Sequence, residues 1–349
     1  MQLLFGYFCD RGKRKHIIVL GLLLSSAIFL IGFAHTASAW FFLILCVMLG
    51  SGAFHPAAVG FIGGISEKNR GKIILGFAFA GALGQGSSQI CYASLLHGHA
   101  ERMAVFSLIT VAACFGIYRF RFTKVAPSRE RLKLQEFLQP FKTKRRPLGL
   151  LYFSQVFSQG LLLAFIFLLP DLLREKSCNS WLCHGGGFLC FFIGASMALI
   201  PAGMIIDRFG PRLMMITVSG FSFSLFYLLL FLPMSSSWLI AVLLALFGAC
   251  SWPINPTIVT WGNKLVPESP SFVSGLLMGM AWCISHLIVI VAGILSTAFS
   301  SSTCHLSLQI LGVLMVMTFF FAIAMPGQKE AVAFSSEGEA GTISEVANK

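Results

Sequence analysis

Charge is scarce in this chain: Asp, Glu, Lys and Arg make up 11% of its 349 residues, and only 13 of them are acidic. Every Asp and Glu falls in a loop, a tail or at the edge of an apolar run, with Asp171 coming nearest to the interior of one. No carboxylate is therefore placed for proton relay inside those runs. Catalytic signatures are lacking as well. The sequence has no His-Glu-x-x-His, no Gly-x-Ser-x-Gly and no Gly-x-x-x-x-Gly-Lys-Ser/Thr, so neither intramembrane hydrolysis nor nucleotide-driven pumping has its chemistry and no enzyme is expected. Ten-residue segments of alternating polarity, the mark of an outer-membrane barrel, are missing too.

What is there is apolar length. Hydrophobic residues fill 56% of the chain in unbroken runs, most near the twenty residues that cross a hydrocarbon core of about 30 Å. Spans are predicted at 17–34, 38–63, 73–96, 103–118, 148–170, 185–206, 213–232, 237–261, 272–298 and 307–325. The fold class is all-α: a polytopic membrane protein with about ten complete transmembrane helices. Residues 1–8 are apolar but too short to cross, and read as the remnant of an eleventh.

The net charge of +12 is explained by the positive-inside bias. Segments 10–16, 66–72, 119–147, 207–212, 262–271 and 326–349 carry 22 of the 25 Lys and Arg, and only Arg102, Arg174 and Lys176 fall opposite. Those segments, and the C-terminus, are expected to be cytoplasmic. The lipid bilayer is the partner this pattern needs; nucleic acid is not. Basic residues follow the first apolar stretch rather than precede it, so no cleavable signal is read.

The predicted organisation is an N-terminal bundle over 1–118, a basic cytoplasmic linker over 119–147 punctuated by Pro127, Pro140 and Pro147, a C-terminal six-helix bundle over 148–326, and a polar disordered tail over 327–349. The bundles are internal repeats. Gly6-x-x-x-Asp10-Arg11 recurs as Gly203-x-x-x-Asp207-Arg208, 197 residues later. Pro56 and Pro256 stand 200 apart, each expected to kink its helix. Parallel halves are the repeat logic of a secondary transporter whose substrate sits between them.

These motifs resemble the major facilitator superfamily. Its loop signature Gly-x-x-x-Asp-Arg-x-Gly-Arg-Arg is matched by Gly203, Asp207, Arg208, Gly210 and Arg212, and by Gly6, Asp10, Arg11, Arg14 and Lys15, where Gly12 stands one place early. The loop 66–76, with Arg70-Gly71, is similar to the connection between the fourth and fifth spans of that superfamily. Phe54-His55-Pro56-Ala57 resembles a motif of fosmidomycin-resistance-type efflux proteins. The resemblance implies a two-bundle fold of twelve spans, of which one and most of another are not in this sequence. It implies a secondary active transporter of a small organic molecule, with drug or metabolite efflux by proton exchange in a bacterial inner membrane. Gly6, Asp10, Arg11, Gly203, Asp207 and Arg208 would then gate the cytoplasmic side. A transport-inactive remnant or sensor keeping the fold is the alternative.

Polar residues inside the spans are the candidates for a substrate and proton cavity. Gln85, Ser88 and Gln89 share one helix face, as do Gln155, Ser158 and Gln159. His55 and His286 are the titratable candidates, and Asn255 holds the repeat position of His55. The same residues also suit helix-to-helix hydrogen bonding, and His55 also suits a carbonyl freed by Pro56. Ten cysteines are scattered mainly through spans as small apolar residues. Cys178, Cys183 and His184 share an external loop without a zinc-like spacing, so neither a metal nor a cofactor is expected. A monomer is expected.

Overall fold

The computed structural model describes residues 1–63, 65–66, 68–96, 100–119, 139, 141–233, 236–298 and 303–325, with 89–96 and 100 described by backbone alone. The described part is helical throughout: α1 (Gln2–Phe8), α2 (Arg14–Ser25), α3 (Ala37–Ile62), α4 (Arg70–Leu96), α5 (Val105–Arg119), α6 (Arg145–Glu175), α7 (Gly187–Phe209), α8 (Pro211–Phe231), α9 (Ser237–Ser251), α10 (Ile254–Leu265), α11 (Pro270–Ser274), α12 (Ala281–Ala298), α13 (Thr303–Leu311) and α14 (Val313–Ala324). Among the described residues nine segments are long and apolar enough to cross a bilayer. The 27 residues of α4 have the length as well, and lie where the third span is predicted. The protein is a multi-pass membrane protein. Most of the linker and the tail from 326 onward fall outside the described residues.

Glycine sets the turns that carry the repeated motif. Gly12 (φ 92°) separates α1 from α2, and Gly210 (φ 87°) separates α7 from α8. Both occupy the left-handed region that a Cβ disfavours, so the early glycine of the first copy still supplies the reversal the second copy makes three residues after its aspartate. At seven residues α1 is too short to cross by itself; it packs against the start of the span Pro270–Ala298, where a Cβ on Gly275 would lie 2.7 Å from the carbonyl of Gln2.

The two repeat prolines behave differently. Pro56 lies inside the uninterrupted α3. Pro256 sits in the first turn of α10, and the helix breaks one turn earlier, at Trp252–Pro253, where Pro253 and Pro256 both withhold amide protons. Thr257 and Thr260 return hydroxyl hydrogen bonds to the Pro253 and Pro256 carbonyls at 2.6 and 2.7 Å.

The C-terminal bundle holds the denser core. Phe165, Phe191, Phe226 and Phe247 are fully buried together, Phe165 and Phe247 edge to face at 4.9 Å. Two of the three cations on the sparsely charged side have structural partners. Lys176 is buried, its ammonium donating to the Leu230 and Leu232 carbonyls at the end of α8 at 3.0 and 2.6 Å, a helix-dipole complement. Burial pushes its pKa down. Arg174 pairs with Asp171 at 3.1 Å.

Candidate functional site

The repeated motif builds two latches, and each joins one bundle to the other. Asp10 receives the Ser271 N–H at 3.1 Å and the Phe272 N–H at 2.9 Å, at the first turn of α11 in the opposite bundle. Asp207 receives the Gly71 N–H at 2.9 Å and the Lys72 N–H at 2.8 Å, at the first turn of α4. The donors are repeat mates, 71 with 271 and 72 with 272. In both latches one carboxylate satisfies two amides that a helix start leaves without partners, and meets the positive end of the helix dipole. The motif glycine makes room for this. A Cβ on Gly6 would stand 2.6 Å from the Ser271 carbonyl oxygen, and one on Gly203 2.8 Å from the Lys72 Cα.

The arginines next to the aspartates each lie over an aromatic ring. Arg11 lies 4.6 Å over the ring of Tyr7 and Arg208 5.1 Å over the ring of Phe209, each within its own bundle. The cation that braces the first latch is Arg14, which pairs with Asp10 at 2.8 Å and donates to the Ser271 hydroxyl at 3.2 Å. The sequence names Arg14 only as a motif match, because nothing in the spacing of one bundle tells which of its arginines faces the other.

One further residue closes the same seam, and a second ties the linker to the C-terminal bundle beside it. Arg70, buried, donates from Nε to the Gly63 carbonyl at 2.9 Å and from Nη1 to the Asn263 carbonyl at 2.8 Å. Lys144 donates to the Leu265 carbonyl at 2.6 Å.

The predicted cavity residues separate into two groups. Gln155 and Gln159 on α6 are buried, as is Asn255 on α10, a helix that packs against α6. Both polar atoms of Gln155, the Gln159 Nε2 and the Asn255 Oδ1 are buried without a hydrogen-bond partner, and so is the Ser154 hydroxyl. Each orphaned group costs about 1–3 kcal/mol, so this concentration marks either a strained core or a place for polar groups to be received. Ser158 instead returns its hydroxyl to the Ser154 carbonyl at 2.7 Å.

Gln85 and Ser88 are exposed on α4, and the side chain of Gln89 lies outside the described residues. His286 is exposed and its Nδ1 bonds the Trp282 carbonyl at 2.7 Å. His55 is half-buried against Phe54; its Nδ1 is buried without a partner, so that atom does not bond a carbonyl freed by Pro56. Cys178 and Cys183 are unbridged, and the Cys183 thiol points to the Cys178 carbonyl at 3.7 Å. His184 is engaged with Ser180, and no group of three or more His, Cys, Asp or Glu that could hold a metal ion occurs among the described residues.

Comparison with known proteins bears on the same architecture. The fucose:proton symporter FucP of E. coli superimposes with a TM-score of 0.74 at 17% identity, over 94% of this chain and 87% of that one. The human organic anion transporter MFSD10 (TETRAN) gives 0.74 at 16% identity, over 92% of this chain and 80% of that one. At such identities the likeness is one of fold. A search of curated proteins finds no match. The sequence profile described as Major Facilitator Superfamily matches residues 1–177 and 180–346. Its members are transporters rather than enzymes, and with two helical bundles latched reciprocally by a repeated Gly-x-x-x-Asp loop, this chain belongs to that superfamily.

Proposed function

We propose that the protein is a secondary active transporter of a small polar organic molecule, working by drug or metabolite efflux in exchange for protons as in the fosmidomycin-resistance branch, in a bacterial inner membrane with the basic face cytoplasmic. The observation that carries the transport reading is the set of orphaned amides on Gln155, Gln159 and Asn255, buried in a two-bundle fold. Amides orient hydroxyl or amide groups of a ligand without the desolvation cost of a charge. The lining is neutral, which favours an uncharged polar substrate over a strongly anionic one. The efflux direction rests on the Phe54-His55-Pro56-Ala57 resemblance. His55 supplies the titratable group: it lies within a span, and its Nδ1 has no hydrogen bond that a proton or a substrate would have to displace.

Reconstitution in vesicles carrying an imposed pH gradient tests this. A polar substrate should collapse the gradient as it moves, and His55→Gln should flatten the dependence of that flux on pH between about 5.5 and 8. Flux that ignores the gradient would sink the exchange reading. No flux of any compound in a broad polar panel would favour a transport-inactive protein that keeps the fold.

A further inference from the structure

The two latches are related by the repeat, but the residue between them is not duplicated. The carbonyls that Arg70 bridges belong to residues 63 and 263, repeat mates 200 apart, one ending α3 and the other in the last turn of α10. A single guanidinium thus sits where the two halves are equivalent, and its own repeat position is occupied by Pro270. Only one side chain fits on such an axis. The planar fork of arginine is suited to it, because two of its N–H groups reach the negative ends of two helices at once.

The surroundings extend from this point to both aspartates. On one side, the residues after Arg70 donate their amides to Asp207. On the other, Asn263 offers its carbonyl to Arg70 and its amide nitrogen to the Ser274 hydroxyl at 3.5 Å, and Ser274 closes the turn of α11 by donating to the Pro270 carbonyl at 2.8 Å. That turn is the one Asp10 holds. A Cβ on Gly63 would lie 3.4 Å from the Asn263 amide nitrogen, so the two repeat mates approach one another beside Arg70.

We infer that Arg70 couples the two aspartate latches, so that the basic face opens and closes as one unit rather than as two independent clasps. Arg70 is a positioning residue here, and the inference is independent of what is transported.

Hydrogen exchange of the full chain in lipid nanodiscs, without substrate, tests it. Arg70→Gln is expected to speed exchange at Gly71–Lys72 and also at Ser271–Phe272, by about fivefold or more, while amides in the middle of α6 keep native protection. Coupling is reciprocal. Asp10→Asn should therefore speed exchange at Gly71–Lys72 in the native background, and this transmitted effect should vanish when Arg70→Gln is added. Acceleration confined to Gly71–Lys72 in Arg70→Gln would overturn the inference, as would an undiminished transmitted effect in the double variant. Asn263→Ala serves if Arg70→Gln loses native protection in α6, since it keeps the carbonyl that Arg70 uses and removes the link to Ser274. Loss of the transmitted effect then supports the coupling, and its persistence overturns it.

Discussion

The latch at Asp10 and the latch at Asp207 use one motif and one hydrogen-bond pattern in different surroundings. The Asp10 carboxylate is fully buried, and Arg14 holds it at 2.8 Å. Asp207 is half-buried, and one of its donors belongs to the exposed Lys72. A repeat therefore fixes the geometry of a contact without fixing its energy. A buried charge is costly to leave unpaired, whereas a half-exposed one is satisfied by water when its partner leaves.

Removing each aspartate tests the difference most strongly. Asp10→Ala leaves the mostly buried Arg14 and two amides without their acceptor, and should lower stability by about 3–5 kcal/mol, read as the largest fall in unfolding midpoint in mild detergent. Asp207→Ala removes a helix cap and should cost about 1 kcal/mol; equal losses would erase the comparison. The glycines come next. Gly6→Ala and Gly203→Ala both place a Cβ against backbone of the opposite bundle, so both should loosen the seam, measured as greater labelling of thiols introduced at Lys68 and Glu268. Gly203→Ala should be the milder, because the first turn of α4 is exposed at Lys72 and has room to move. Salt gives the smallest effect: raising it from about 0.05 to 0.5 M screens exposed charge, so exchange at Gly71–Lys72 should rise about twofold and that at Ser271–Phe272 should not change.

The all-helical multi-span fold, nine of whose spans are found among the described residues, and the reversal after each aspartate were legible in the sequence, because apolar length and glycine placement are local properties. The shared face of Gln155 and Gln159 on α6 was legible by helical spacing, and Asn255 by holding the repeat position of His55; all three are buried. Gln85 and Ser88 share a face by the same spacing yet are exposed, since periodicity says which residues lie together and not what lies opposite. The helix start that donates to each aspartate, the bracing of Ser271 by Arg14 and the position of Arg70 between the halves depend on contacts across more than 100 residues. The break at Trp252–Pro253 instead of at Pro256 came from a second proline whose effect the repeat comparison passed over.

Because each aspartate and the helix start it holds lie in different bundles, neither half contains a complete clasp. Expressed as two polypeptides, the halves would have to find one another before either could bury its seam, and a change in one loop would be answered by selection on the other half, about 140 to 260 residues away in the chain.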